Sequence, residues 1–374
     1  LASSLALRAR IRAAEAQPFV SPADSLNDKV FNALLRARVA GIGFENDVAD
    51  RVATALLDAK RGLLAQIRAI RDSGGEDLTP GLRASLLDAV NRALAVALNG
   101  ASATIQAGAE VLGREQARLV NGAVFNAVRA VASPKDLAAG VLARPEPATL
   151  AALGNVKALG RGLDRWRAKF SFDVTDKADA LLARLQGEGA GVAAAERALA
   201  DLFGDLGPDL ETLARTALAE RSAQVTEDFF DQNTDLIAKV QYVATLDDRT
   251  CPICAPDDGE VFPEDGDRPR LPRHLNCRCV YVPVFDDFPL VGEKRASGSP
   301  GRPDVPSRVT FDSWVSKQPA GVQKEVLGAT RYSLWKKGLL DLGDFVSHGS
   351  ILSLADLKSR FGGAVRDLIA SLGY

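Results

Sequence analysis

Apolar residues recur every three to four positions through most of the first 230 residues, a period that lays them along one side of a helix. Val30, Phe31, Leu34, Leu35 and Ala40 mark a first candidate behind Ser25, a residue type suited to an N-cap. A second carries Val52, Leu56, Leu57, Leu63, Leu64, Ile67 and Ile70 and should end at Gly74-Gly75. A third opens at Thr79-Pro80, where proline fits the first helical position, and runs through Leu86, Leu87, Val90, Leu94 and Leu98 to Gly100. The spacing predicts further helices near 101–131, 135–142 and 147–169. The weakly charged run between Arg92 and Glu110 reads as helix, break, helix inside a core, because Asn99, Gly100, Ser102, Thr104 and Gln106 interrupt it.

Phe170 to Val174 reads as briefly strand-like, with Thr175 or Asp176 capping a helix through Leu181, Leu182 and Leu185. After Gly187, Gly189 and Gly191 another helix should stop before Gly204, and Pro208 should open a long one reaching Phe230. The period then drops to two: Val240, Tyr242, Ala244 and Leu246 alternate with Gln241, Val243 and Thr245, which predicts a strand. Val261-Phe262 and Val280 to Val284 predict two more. Residues 286–310, with Pro289, Pro300, Pro303 and Pro306, read as an extended linker. In the tail, Pro319 should open a helix stopped by Gly328, Thr330 should cap one stopped by Gly338, and Ser353 to Asp356 resembles a capping box. Trp314, Tyr332 and Trp335 serve either as the core of this small module or as partner anchors, and the core reading carries more weight.

The expected fold is therefore mainly α with a small α+β module. A multi-helix region spans 1–172, a mixed segment 173–285, a linker 286–310 and a small helical module 311–374. At 374 residues the chain can bury a substantial core. Net charge is −2, so no overall basic excess argues for nucleic acid, although residues 1–172 carry +7 and the remainder −9. No apolar stretch predicts a membrane span or a secretory signal.

Candidate chemistry is concentrated. All four cysteines, Cys251, Cys254, Cys277 and Cys279, fall within about thirty residues, joined by His274, one of only two histidines. Cys251-Pro-Ile-Cys254 has the spacing with which one tight turn presents two thiolates to an ion, and His274-x2-Cys277-x-Cys279 supplies the complement. Zinc suits this donor set best. Five candidates compete for four places: either His274 binds and one of Cys277 and Cys279 is spare, or four cysteines bind and His274 supports them. Disulfides are the rival, with only cross-pairing between the two clusters comfortable. A set closed by four protein ligands leaves no position for water, which makes the site structural and argues against an enzyme. The other histidine, His348, has no ligand set near it in sequence and reads as a loop residue.

The run Val243 to Cys254, then Asp258-Gly259, then Pro272-x-His274-x-Asn276-Cys277-Arg278-Cys279, then Val282-Pro283-Val284, closely resembles the phage head morphogenesis family, which includes the F protein of phage Mu. An upstream Leu213-Ala214-Arg215-Thr216 element and, more moderately, residues 311–358 are similar to the family as well. The resemblance implies a minor capsid protein, located in the virion at the head interior or portal vertex and in host cytoplasm during assembly. It implies the portal protein as partner, with major capsid or scaffold protein and double-stranded DNA as further candidates. A second reading makes the knot a DNA-binding zinc element, with Arg249, Arg268, Arg270, Arg273 and Arg278 on phosphates. Eight nearby carboxylates, Asp247, Asp248, Asp257, Asp258, Glu260, Glu264, Asp265 and Asp267, count against it. A metal-dependent enzyme is a third and weaker reading, since neither an open metal position nor a base is evident.

Overall fold

The computed structural model describes residues 26–131, 154–234, 236–285, 295, 305–306, 308–347 and 349–374. It is mainly α with a small α+β module, and nine α-helices lie among the described residues. Four are long: α1 (Leu26–Gly74), α2 (Pro80–Val131), α3 (Leu163–Gly187) and α4 (Val192–Asp231). A two-stranded hairpin, β1 (Lys157–Ala158) and β2 (Arg161–Gly162), precedes α3. Among the described residues no helix is long and apolar enough to cross a membrane.

Several sequence boundaries dissolve. The two candidates between Val30 and Ile70 form one helix, because Phe44, Val48 and Ala49 continue the buried stripe between them. The expected break near Gly100 is absent, since Ala97, Leu98, Ala101 and Ile105 are all buried and their packing outweighs the roughly 1 kcal/mol that a mid-helix glycine costs. Phe170 and Val174 are not strand-like: they face the bundle at helical spacing with Ala178 and Leu182. Nor does Pro208 start a helix. It sits inside α4, where Phe203, Leu206 and Leu210 are buried on both sides and hold the helix through a residue that costs about 3 kcal/mol in a helix interior. The helix expected over 147–169 is replaced from Lys157 by the hairpin and then α3, while 147–153 falls outside the described residues, as do the 135–142 helix, the Ser25 cap and His348.

The four long helices share one apolar core from Ala37 to Leu218. Close approach of α1 and α2 requires Gly108, where a Cβ would stand 2.9 Å from Val48. The lower part of the bundle passes into a second core. Here Val30, Phe31, Leu34 and Leu35 of α1, Val120 and Val124 of α2 and Phe229 and Phe230 of α4 pack on a three-stranded sheet. That sheet has the order β4–β3–β5, with β3 (Lys239–Val243) central and antiparallel to both β4 (Val261–Pro263) and β5 (Val280–Val284). Its register places Tyr242 opposite Tyr281 and Val240 opposite Phe262, and the rings of Tyr242 and Tyr281 meet edge to face at 5.4 Å. The strand ends at Val243, earlier than Leu246, because the Ala244 amide turns to Asp258 Oδ1 at 2.7 Å.

A third core belongs to the C-terminal module: α5 (Phe311–Val315), α6 (Ala320–Leu327), α7 (Ala329–Lys336), β6 (Val346–Ser347), β7 (Ser350–Ile351), α8 (Leu354–Phe361) and α9 (Gly363–Ser371). Leu246 and Ala255, from the cysteine segment, are part of that core. Gly328 separates α6 and α7 with φ of 75°, so Thr330 lies inside α7 and is not its cap. Ser353 and Asp356 do form the expected capping box. Trp314 is buried and Tyr332 and Trp335 pack against the same core, in line with the core reading of these aromatics.

Candidate metal centre

The central strand β3 delivers the chain to a tight turn at Cys251. There the amides of Cys254 and Ala255 both donate to the Cys251 carbonyl at 3.1 Å, which points two thiols to one side. Asp258 and Gly259 reverse the chain, Gly259 at φ of 96°, and β4 returns it along β3. The second cluster forms where the chain re-enters as β5. The Cys277 amide donates to the His274 carbonyl at 3.2 Å, and Asn276 between them takes φ of 58°, a conformation that asparagine tolerates better than most residues. Because β3 and β5 are neighbours, their clusters meet.

All five candidates are brought together. Cys251, Cys254 and His274 form one group and Cys254, Cys277 and Cys279 another, with donor atoms in each group within 4.8 Å of one another and Cys254 common to both. His274 Nε2 lies 2.9 Å from Cys251 Sγ and 3.1 Å from Cys254 Sγ, and Cys254 Sγ lies 3.9 Å from Cys277 Sγ. A tetrahedral zinc has edges of roughly 3.8 Å between sulfurs and roughly 3.5 Å between sulfur and nitrogen, given bonds of about 2.3 and 2.0–2.1 Å. The sulfur edge already matches, and the imidazole would withdraw by roughly half an ångström. His274 Nδ1 is 2.8 Å from the Leu275 carbonyl, to which only an N–H can donate, so Nε2 is the nitrogen left for the sulfurs.

The four thiols are too close to ionise together without a cation. The thiol of Cys254 donates to Cys251, which with His274 beside it holds the Cys251 thiol down to about 4. Cys254, which gives up that hydrogen bond and others to Cys277 and Cys279, is pushed strongly up. Burial disfavours a charged His274, but contact with the thiolates overrides this and raises it to about 10. A dication removes the conflict by letting every ligand thiol deprotonate, so the donor set fits a metal.

Around this cluster lies a shell of polar contacts that the sequence only partly announces. Asn276 is held by α4: its amide donates to Thr216 Oγ1 at 2.9 Å, and its Oδ1 accepts from Arg215 Nε at 3.0 Å. The upstream Arg215-Thr216 element thus grips Asn276, which lies between His274 and Cys277. From α1, 240 residues away, Arg38 Nε donates to the Arg278 carbonyl at 3.1 Å and Nη2 to the Cys277 carbonyl at 3.4 Å. Arg38 is itself paired with Glu45, and both are buried. No local pattern marks these two, since a buried ion pair in a helix reads in sequence as ordinary surface charge. Asp258, read as a turn residue, is a fully buried hub. It accepts from Ala244, from the Phe311 amide at 2.6 Å, and from both terminal nitrogens of Arg295 at 2.8 and 2.9 Å. Arg295, within the stretch read as linker, thus joins the cysteine segment to the start of α5.

Three of the five arginines considered for phosphate binding are occupied internally. Arg268 pairs with Glu227, Arg273 with Asp257 and Arg278 with Asp247. Arg249 and Arg270 are exposed.

A sheet whose two strand ends are closed by a cysteine–histidine cluster and carried on a helical bundle is the class of structure defined here. Residues 179–282, from within α3 to within β5, match the family model described as Phage Mu protein F like protein. The matched span contains α4 with Arg215 and Thr216 and all five candidate ligands. It supports a protein of the phage head morphogenesis family and agrees with the resemblance carried by the cysteine motif. Neither the curated proteins nor the solved structures gave a match.

Proposed function

We propose that this chain is a minor capsid protein of a tailed phage that docks at the portal vertex and assists head assembly or DNA packaging and delivery, with zinc as a structural clasp. The observation that carries the reading is the coincidence of the family match with the one segment where the cysteines, His274, Asn276, Arg215 and Thr216 converge. The clasp is read as four of Cys251, Cys254, His274, Cys277 and Cys279 around one ion, closed to water and without a catalytic role. In this reading residues 173–285 form the family domain, 1–172 its helical extension and 311–374 a module tethered through 286–310.

In this reading the clasp is a rigid junction that sets the relation of three parts of the chain. It sits where the bundle, the sheet and the C-terminal module meet, and hydrogen bonds of Asn27, Arg38, Arg215, Thr216, Asp258, Arg268 and Arg295 tie these parts together. DNA binding at the knot itself has less support, because Arg268, Arg273 and Arg278 are already neutralised.

Co-expression with the portal protein of the same phage tests the proposal. The chain should co-elute with portal rings and be present in mature heads, and Cys254→Ser should lose both. Wild-type chain that neither co-elutes with portal nor is present in heads would contradict it.

A further inference from the structure

Around the clasp the buried Arg38 and Arg295 and the half-buried Arg268, Arg273 and Arg278 all meet a carboxylate. The C-terminal module breaks this pattern. Between Ser313 and Leu340 it carries five cations, Lys317, Lys324, Arg331, Lys336 and Lys337, against one carboxylate, Glu325. None of the five is ion-paired among the described residues, and the four lysines are exposed. Three of the module's other carboxylates are used in capping: Asp341 and Asp344 box the turn before β6, and Asp356 boxes α8 with Ser353.

Two of the lysines and Arg331 also make contacts within the module. Lys324 lies over the Tyr332 ring at 5.5 Å, and Lys336 lies 5.9 Å from the Trp335 ring centroid. Tyr332 and Trp335 are one turn apart on α7, so both contacts gather toward one side of the α6–α7 pair. Arg331 is half-buried beside them. Its Nη2 donates to the Leu352 carbonyl at 2.7 Å, its Nε has no partner, and burial lowers its pKa with no carboxylate offsetting the effect.

What such a face binds follows from what it lacks. No large apolar side chain stands exposed between Ser316 and Leu340 among the described residues. Protein interfaces commonly carry an apolar centre inside the polar rim, and membrane-inserting helices carry an apolar face. A phosphate backbone needs only cations on long stems. Single strands are held largely by bases stacking on free rings, whereas Tyr332 and Trp335 are packed into the module and faced by lysines.

We propose that the surface formed by α6, α7 and the turn that precedes α6 binds the phosphate backbone of duplex DNA, without reading sequence, through Lys317, Lys324, Lys336 and Lys337. This does not rest on the portal assignment, and it moves DNA contact from the knot, whose arginines are spent, to the module behind it.

Fluorescence anisotropy of the full chain with labelled duplexes of unrelated sequence tests this. Four phosphate contacts predict an affinity that falls roughly 100-fold between about 50 and about 200 mM salt, the same for every sequence. Lys317→Gln/Lys324→Gln/Lys336→Gln/Lys337→Gln should abolish binding. A control removing equal charge from the bundle surface, Arg51→Gln/Arg61→Gln/Lys169→Gln/Lys177→Gln, should keep it. If the first variant loses the fold by circular dichroism, Lys336→Gln/Lys337→Gln replaces it, with about half of the salt slope expected to vanish. Absent wild-type binding at low salt, equal losses in the two variants, or polyglutamate competing as well as DNA at equal charge would each overturn the proposal.

Discussion

The bundle and the clasp are held by different physics. The bundle buries a continuous apolar stripe from Ala37 to Leu218, with stability spread over many side chains, each replaceable by one of similar volume. The clasp has few strand pairs of its own and depends on particular atoms: five soft donors, the Asn276 grip, the Arg38–Glu45 strut and the Asp258 hub. The bundle should therefore tolerate change gradually, whereas the clasp should fail at single positions.

The largest expected effect separates the two at once. Chelation under reducing conditions should remove about 10–16 kcal/mol of apparent folding free energy from the clasp. Amide exchange should then lose protection in β3, β4 and β5 while α1 to α4 keep theirs. Uniform loss, or none, would break the distinction.

Next in size is Arg38→Ala, which leaves Glu45 buried without its partner and removes the strut to Cys277 and Arg278. A cost of about 3–5 kcal/mol, accompanied by weaker metal retention, is expected from chemical denaturation and metal exchange. Leu199→Ala, deep in the bundle core, should cost about 2–5 kcal/mol and leave metal retention unchanged. The pair sharpens the comparison: similar stability losses with opposite effects on metal.

Asn276→Ala removes the contacts to Arg215 and Thr212 and places alanine at positive φ, and should cost about 1–3 kcal/mol, concentrated in the clasp. The smallest effect belongs to neither region. Hydrogen bonds from the Ser353 hydroxyl and amide hold the Asp356 carboxyl below its usual value. A depressed carboxyl stabilises the folded state above the unfolded pKa near 3.8 and loses that contribution as pH falls through the folded value. Ser353→Ala should therefore lower stability slightly at neutral pH and flatten the acid side of the melting profile.

The sequence was most legible where one residue type has one use. The cysteine spacing, the three strands and the Ser353 capping box all rest on local chemistry and stand in the structure. Helix ends were poorly legible because Gly100 and Pro208 are local breakers overruled by long-range packing of Leu98, Ile105, Leu206 and Leu210. Arg38, Glu45 and Arg295 could not be singled out, because their partners lie far away in sequence and a buried charge looks like a surface one until the fold pairs it. Arg215 and Thr216 were visible only through the family resemblance, and the structure supplies their physical reason in Asn276.

Metal content of the reduced, purified chain tests the central claim most directly. One equivalent of zinc in the wild type, and none in Cys254→Ser, the thiol common to both ligand groups, is the predicted result. Wild-type protein that is folded, fully reduced at all four cysteines and free of metal would contradict it.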